Sequence, residues 1–267
     1  MLRNVIATYA VLSLLTSIPI LASAETKVKQ TTHFAVYEYP PLYHTSIDGH
    51  FSGTLGETIK QICHKGQLNC QSQMYPIARA YELVISGNAD ISISGTHPRF
   101  DTCCTASDWS YPWSAGLFTL NKNKQIPLSE ADFTGQSLVI VRGWRSQYRF
   151  IPNFDQLVAD KKINVYYANS NYSAIKMLES NRADLLWGSV DFLWYLDKLN
   201  LSHKIQYSER LKIPIVLWVN KNRPDVLEGL NRGYANLLAS EQLDDQNLLR
   251  QGIMANVYQD AEMKKSQ

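Results

Sequence analysis

The sequence predicts an α/β fold, because segments with strand patterns and helix patterns alternate along most of the chain. Residues 89–94 (ADISIS) alternate in polarity as a half-buried strand does, whereas residues 137–141 (SLVIV) form a nearly unbroken apolar strand. A strand of the second kind is typical of a sheet covered by helices on both faces. Residues 224–240 form a long amphipathic segment that begins with Pro-Asp, which suits the first turn of a helix. We therefore expect mixed sheets flanked by helices.

The individual elements follow from the same patterns in chain order. Leu55, Ile59 and Ile62 share one face of a helix, and Gly66 follows as a stop signal. The Pro40-Pro41 pair ends the first strand, since proline cannot continue a strand ladder. The predicted strands cover residues 32–37, 72–75, 89–94, 115–120, 137–141, 163–167, 183–187 and 213–219. The predicted helices cover residues 55–63, 78–86, 153–159, 171–180, 192–199 and 224–240.

Residues 1–24 have the pattern of a secretory signal peptide. Arg3 is the only charged residue before Glu25, and an apolar stretch then leads to the small residues Ala-Ser-Ala at positions 22–24. We expect cleavage after Ala24 and a periplasmic mature protein. A membrane anchor is the alternative, but the apolar stretch is near the lower length limit for spanning and contains several polar residues. The polar tail, residues 261–267, is expected to be frayed.

The charge balance excludes some partner classes. The 267 residues include 26 basic and 24 acidic ones, for a net charge of +2, so the chain offers no strong field for nucleic acid. The remaining partners are small molecules or proteins. The length suffices for one large domain or two modest ones, each with its own core. We expect a monomer.

Four cysteines fit an oxidising compartment and allow three disulfide connectivities. Cys63 and Cys70 bracket a short Gly-containing loop, and we favour a local bridge between them. The adjacent Cys103 and Cys104 either form a strained vicinal disulfide or remain thiols. The sequence has no CxxC or HxxxH spacing, so we expect no metal site and no other cofactor.

Five segments together resemble periplasmic solute-binding proteins of the polar amino-acid ABC transporter family, the bacterial extracellular solute-binding proteins of family 3. They are EYPPLY (38–43), YPIARAYELVISGNADISIS (75–94), FTGQSLVIVRGWRSQY (133–148), IKMLESNRADLL (175–186) and KIPIVLWVNKNRPDVLEGLNRGYANL (212–237). The resemblance implies a two-lobed type II periplasmic-binding-protein fold, each lobe a mixed sheet flanked by helices, with two hinge crossings. Lobe 1 would comprise residues 25–119 and 213–260, and lobe 2 residues 120–212. The ligand would lie between the lobes.

The resemblance also implies a ligand site on lobe 1. The family keeps a carboxylate-binding arginine close to the position of Arg99, and a planar guanidinium can bind two carboxylate oxygens. Arg99 comes about three residues earlier than in the family pattern, so a structural loop role is the alternative. The other expected ligand-binding residues of this lobe supply stacking rings or strand-end donors, and they are Tyr39, Tyr43, Ser94, Gly95 and Thr96.

On lobe 2, the loop after strand 137–141 is expected to complete the site. Gly143 would open a helix whose backbone N–H groups can receive an anion. Arg145 and Ser146 would add side-chain donors, although Arg145 could also be an ordinary surface charge. Trp144 would either cap the cleft or pack in the core.

Recognition of an amino group would need a carboxylate. Ser189 occupies the position at which the family has its aspartate, and Asp191 follows two residues later. Asp191 is therefore our candidate ligand-binding carboxylate, but it also resembles an ordinary N-cap of the helix at 192–199. Amino acids, other carboxylates, amines, peptides and aromatic metabolites all stay open as ligands.

The predicted function is capture of a small polar solute for an ABC-type uptake transporter, with an inner-membrane permease as partner. We predict no enzymatic activity. One alternative is a free-standing sensory ligand-binding protein. Another is a periplasmic dehydratase-like enzyme on the same scaffold, for which Glu38, His97 and Asp191 are the candidate acids or bases, although the sequence contains no evident catalytic triad.

Overall fold

The computed structural model describes residues 30–96, 98–120 and 125–250. The predicted signal peptide with its cleavage site, His97 and the polar tail lie outside the described residues. None of the helices in the described segments is both long enough and apolar enough to cross a membrane.

Ten strands and seven α-helices alternate along these segments. The strands are β1 (Thr31–Val36), β2 (His44–Thr45), β3 (Phe51–Ser52), β4 (Asn69–Met74), β5 (Ile91–Gly95), β6 (Cys104–Thr119), β7 (Gln136–Val141), β8 (Ile163–Ala168), β9 (Leu185–Ser189) and β10 (Gln206–Asn220). The helices are α1 (Thr54–Lys65), α2 (Ile77–Ile85), α3 (Pro98–Cys103), α4 (Phe154–Ala159), α5 (Asn171–Glu179), α6 (Phe192–Lys198) and α7 (Pro224–Ala239). Short 3₁₀ helices cover Glu130–Phe133, Ser146–Arg149 and Ser202–Lys204.

Eight strands form one hydrogen-bonded sheet in the order β4-β1-β5-β10-β6-β9-β7-β8. In lobe 1, β1 pairs in parallel with β4 and β5, and β10 runs antiparallel to β5. In lobe 2, β7 pairs in parallel with β8 and β9, and β6 runs antiparallel to β9. Each lobe therefore contributes a mixed set of strands, and the predicted α/β architecture is confirmed.

The long strands β6 and β10 cross between the lobes as an antiparallel pair. Residues 215–219 of β10 pair with β5, whereas residues 115–118 of β6 pair with β9. Pro112 and Pro214 face each other where the pair passes from one lobe to the other. Proline has no N–H to donate, so the ladder has fewer hydrogen bonds at this point. The predicted boundary at 119/120 falls at the end of β6 and that at 212/213 falls inside β10, so the division by residue number stays a prediction.

Cys63 and Cys70 form a disulfide with 6.2 Å between their Cα atoms, which joins the end of α1 to the edge strand β4. This agrees with the predicted pairing. Cys103 and Cys104 are free thiols, half-buried and buried respectively. Burial raises the pKa of the Cys104 thiol, which therefore stays protonated.

Candidate functional site

A cavity of about 720 Å³ lies between the two lobes. Lobe 1 supplies the segment that follows β1, the α2 helix, the end of β5 and the start of α3. Lobe 2 supplies the loop that follows β7, and the crossing strands supply Trp113, Ile213 and Ile215. The volume falls within the range of small-molecule sites, which is about 300–1,000 Å³.

The structure brings together ten of the eleven predicted ligand-binding residues around this cavity. They are Tyr39, Tyr43, Ser94, Gly95, Thr96, Arg99, Gly143, Trp144, Arg145 and Ser146. Asp191 does not line the cavity. Contact of these residues with a ligand stays a prediction.

The turn after β1 places two tyrosines at the cavity wall. The backbone N–H groups of Tyr39 and Tyr43 donate to each other's carbonyl oxygens over 2.8 and 3.1 Å, around a cis peptide bond between Pro40 and Pro41. Gly53 lies against this turn with a φ of 105°, and a Cβ there would lie 2.5 Å from the Leu42 carbonyl oxygen. Only glycine fits that position, so the start of α1 holds the turn in place.

Four tyrosine hydroxyls line this side of the cavity. The Tyr81 hydroxyl donates to that of Tyr37 over 3.3 Å, and the Tyr37 ring packs edge-on against that of Tyr43 at 5.4 Å. Burial raises the pKa of Tyr37, Tyr39, Tyr43 and Tyr81 well above the ordinary value. These hydroxyls therefore stay neutral and can both donate and accept hydrogen bonds.

Arg99 belongs to α3 and not to an irregular loop. Its Nη2 donates to Glu82 on α2 over 2.7 Å, and both side chains are about half-exposed. The two residues line the cavity together. Arg99 therefore lines the cavity and also links α3 to α2, and its contact with a ligand stays a prediction.

Arg149, which sequence reasoning missed, connects the lobes across the cavity. Its Nη2 donates to the Thr96 carbonyl oxygen over 2.9 Å and to the Thr96 hydroxyl. Arg149 comes from lobe 2 and Thr96 follows β5 in lobe 1. Arg145 lies nearby, and its Nη1 donates to the Tyr148 hydroxyl over 3.2 Å while its guanidinium stands over the same ring.

The loop after β7 differs from the expected helix start. Gly143 has a φ of 92°, and the residues from Ser146 form a four-residue 3₁₀ helix. The expected α-helix after Gly143 is therefore wrong, because the chain forms only one 3₁₀ turn, whereas anion binding by this loop stays a prediction. Ser146 Oγ accepts a hydrogen bond of 2.9 Å from Trp187 Nε1, which anchors the loop to β9. Trp144 both lines the cavity and packs against Tyr39 at 5.8 Å.

Asp191 lies behind the cavity wall at the end of a buried hydrogen-bond chain. Trp113 Nε1 donates to the Tyr39 hydroxyl over 3.1 Å, and that hydroxyl donates to Ser189 Oγ over 2.5 Å. Ser189 Oγ in turn donates to Asp191 Oδ2 over 2.8 Å. Asp191 occupies the N-cap position of α6, but its side chain makes no capping hydrogen bond. The N-cap interpretation is therefore wrong for the carboxylate, which turns back to Ser189.

The environment of Asp191 changes its acidity. Burial raises its pKa from 3.8 to about 6, and the hydrogen bond from Ser189 opposes this shift in part. The same chain joins Tyr39 of lobe 1 to Ser189 of lobe 2. Within the described segments, no group of three or more His, Cys, Asp or Glu side chains is arranged to hold a metal ion.

Several cavity residues besides Arg149 were not predicted from the sequence, although their spacing is typical of one face of a helix or a strand. Ala78, Tyr81, Glu82 and Ile85 form one stripe of α2 at helical spacing, which identifies the face turned to the cleft. Trp113 belongs to an alternation of aromatic residues at positions 109, 111 and 113, which is typical of a strand. Tyr37 directly follows β1.

Solved structures of similar shape include arginine-binding proteins and a sensor domain. A histidine kinase sensor domain with similarity to periplasmic binding proteins matches with a TM-score of 0.68 and 12% identity, covering 80% of this chain and 92% of its own. An ancestral arginine-binding protein bound to arginine matches with a TM-score of 0.66 and 17% identity, covering 78% and 92%. The arginine-bound, truncated ArgBP from T. maritima matches with a TM-score of 0.64 and 14% identity, covering 78% and 96%.

The sequence matches no protein-family model and no curated relative. At 12–17% identity the structural likeness concerns the fold. The likeness extends over about four-fifths of this chain. The chain therefore has the two-lobed type II periplasmic-binding-protein fold, as its resemblance to the family 3 solute-binding proteins predicts.

Proposed function

We propose that this protein is an exported solute-binding protein of the polar amino-acid type. It captures a small polar solute, an amino acid or a related carboxylate or amine, between its lobes. It acts as a monomer that delivers the solute to an inner-membrane permease of an ABC-type uptake transporter.

The observation that carries this proposal is a cavity walled by both lobes and bridged by side chains. Arg149 of lobe 2 donates to Thr96 of lobe 1, and Tyr39 of lobe 1 donates to Ser189 of lobe 2. A solute that contacts both walls favours the closed arrangement by its differential affinity for that state. Hinged closure of two lobes around a ligand is a recognised switching geometry.

Two further findings support the proposal. The names of two similar structures describe arginine as their ligand, and this chain covers more than nine-tenths of each of those proteins. The disulfide between Cys63 and Cys70 suits an oxidising compartment such as the periplasm.

A sensory role is the second candidate, and the histidine kinase sensor domain among the similar structures favours it. Uptake by whole cells separates the two roles. Cells that lack the protein lose uptake of the bound solute if it serves a transporter. They retain uptake but lose a response to the solute if it serves a sensor.

The binding function is tested by purifying the protein under native conditions and identifying the retained small molecule by mass spectrometry. Calorimetric titration of the ligand-free protein with that molecule should give one site per chain. Release of the molecule unchanged is expected. Its conversion into a new product would instead support the dehydratase-like alternative.

Arg145 and Arg142 provide a matched pair of variants for the same titration. Both are exposed arginines on one loop, but only Arg145 lines the cavity, whereas Arg142 stands over the ring of Tyr167. We expect Arg145→Ala to weaken binding of an anionic solute by about 1–2 kcal/mol, somewhat below the range for a buried charge-assisted hydrogen bond because solvent screens the site. Arg142→Ala should leave the affinity unchanged. Equal affinities for both variants would remove Arg145 from the site.

A further inference from the structure

Resting on the proposed binding function, we infer that the solute is an aromatic carboxylate that carries no ammonium group. The inference narrows the ligand from polar amino acids and their relatives to anions with a planar apolar body. It follows from three properties of the cavity, namely its net positive charge, its lack of an unpaired carboxylate among the described lining residues, and its aromatic walls.

The cavity carries a net positive charge on its described lining, because three arginines outnumber one carboxylate. Arg99 of lobe 1 and Arg145 and Arg149 of lobe 2 line it, and Glu82 is the single carboxylate among its described lining residues. Glu82 is bound to Arg99 at 2.7 Å, so its charge is already compensated. A guanidinium carries five N–H donors, so Arg145 keeps donors for a ligand beside its bond to Tyr148. Such a cavity favours an anion.

A ligand ammonium group finds no unpaired carboxylate among the described lining residues, because Glu82 is already paired with Arg99. Asp191, the carboxylate nearest to the expected position of an amino-group receptor, does not line the cavity. It accepts a hydrogen bond from Ser189, and the Tyr39 hydroxyl lies between it and the cavity. Burying an ammonium group without an unpaired carboxylate is unfavourable, because neutral acceptors compensate its charge only in part. An α-amino acid would meet this penalty, whereas the corresponding acid without the amine would not.

The remaining cavity wall is aromatic. The rings of Tyr39 and Trp113 each lie 5.8 Å from that of Trp144, so rings from both lobes and from a crossing strand meet at one end of the cavity. Tyr37 and Tyr81 line the wall beside them. Aromatic walls gain most from planar apolar ligands through stacking and edge contacts. Their faces also attract organic cations, but the three arginines of the same cavity repel a cation.

The inference is tested with probes that differ only in the amine. The ligand-free protein is titrated with 3-phenylpropionate and L-phenylalanine, and with 3-(4-hydroxyphenyl)propionate and L-tyrosine. Tyramine serves as the cationic probe. We expect at least one acid to bind about 10-fold or more tightly than its amino-acid partner, the difference expected when one charged group loses its hydrogen-bond partner, and tyramine not to bind.

Variants locate the binding in the cavity. Trp144→Leu should weaken binding of the acid about 10-fold or more, as expected for the loss of a stacking ring. Trp194→Leu is the matched control, because Trp194 lies on α6 under the ammonium of Lys198 and does not line the cavity. It should leave the affinity unchanged.

The outcomes separate this inference from the binding function on which it rests. Amino acids that bind as tightly as the acids, or more tightly, overturn the inference and leave the binding function standing. The same holds if mass spectrometry finds an amine in the natively purified protein. If the protein retains no small molecule and binds none of the probes, both the inference and the binding function fail.

Discussion

Asp191 does not line the cavity, but hydrogen bonds through Ser189 join it to Tyr39 of the cavity wall. Electrostatic coupling links its carboxylate to five surrounding tyrosines, which are Tyr39, Tyr43, Tyr111, Tyr195 and Tyr207. Burial raises the pKa of each of these hydroxyls, so they surround the carboxylate as neutral groups. Ser189 is its one direct side-chain donor among the hydrogen bonds described for it. The carboxylate is thus poorly compensated when it is ionised.

The raised pKa of Asp191 makes stability depend on pH. The pKa is about 6 in the folded protein against an ordinary value of 3.8. The folded state binds the proton more tightly, so this group's favourable contribution is complete below about pH 4 and is lost as the pH rises through 6. The loss amounts to about 2–3 kcal/mol. Asparagine cannot ionise, so the Asp191→Asn variant does not show this loss. The melting temperature of the variant minus that of the wild type should therefore be higher at pH 7 than at pH 4, by roughly 5 °C.

Thermal unfolding of both proteins between pH 4 and pH 7.5 checks this expectation. Asp155→Asn is the control, because Asp155 is an exposed carboxylate that accepts a hydrogen bond from Tyr148. The melting temperature of Asp155→Asn relative to that of the wild type should not increase from pH 4 to pH 7.5. A constant difference between Asp191→Asn and the wild type would show that folding does not raise the pKa of Asp191.

At the scale of the elements, local patterns predicted most of the sheet and the helices. The apolar strand at 137–141 corresponds to β7 (Gln136–Val141), and the amphipathic segment at 224–240 corresponds to α7 (Pro224–Ala239). The first eleven residues of β6, at positions 104–114, were not predicted, since Asp108 and Pro112 dilute their pattern. Over residues 107–113 buried side chains alternate with more exposed ones, because only one face packs on the core. The number of apolar residues therefore failed to identify this part of the strand, whereas the alternation of apolar and polar residues would have identified it.

The disulfide is an element-scale constraint whose effect can be estimated. Cys63 and Cys70 are seven residues apart, and closing so short a loop in the unfolded chain corresponds to about 2–2.5 kcal/mol of stability. We expect the double variant Cys63→Ser/Cys70→Ser to lose about this much free energy of unfolding in denaturant titrations. Reductant should have no further effect on that variant. Cys103→Ser, at a half-buried free thiol, should retain the response of the wild type to reductant.

At the scale of the whole molecule, the site arises from contacts between distant parts of the chain. Arg149 meets Thr96 across 53 positions, and Tyr39 meets Ser189 across 150. Strand ends that carry Gly, Ser and Thr could be identified from the sequence because such residues gather at sheet edges. The partner that each side chain meets could not be identified from the sequence, because it depends on the angle between the lobes. The sequence therefore predicted ten of the wall residues but missed the bridge from Arg149.

Gly143 offers a direct test of lobe closure. It belongs to lobe 2, and a Cβ at this position would lie 2.8 Å from Ile77 Cγ2 at the start of α2 in lobe 1. Ile77 is β-branched and has little rotamer freedom in a helix, so it cannot easily move aside. Gly143→Ala should therefore hold the lobes apart. We expect about a 10-fold loss of affinity for the solute, and a larger radius of gyration by small-angle X-ray scattering in its presence.

The backbone effect of that substitution must be separated from the clash. Gly135 also has a positive φ, 78° against 92° for Gly143, but a Cβ there would meet nothing within 4 Å. Both Gly→Ala variants should lose about 1–2 kcal/mol of stability from the strained backbone, whereas only Gly143→Ala should lose affinity. Adding Ile77→Ala to Gly143→Ala removes the opposing methyl group and should restore most of the binding. If Gly135→Ala weakens binding equally, or if Ile77→Ala restores nothing, contact between these two positions does not control closure.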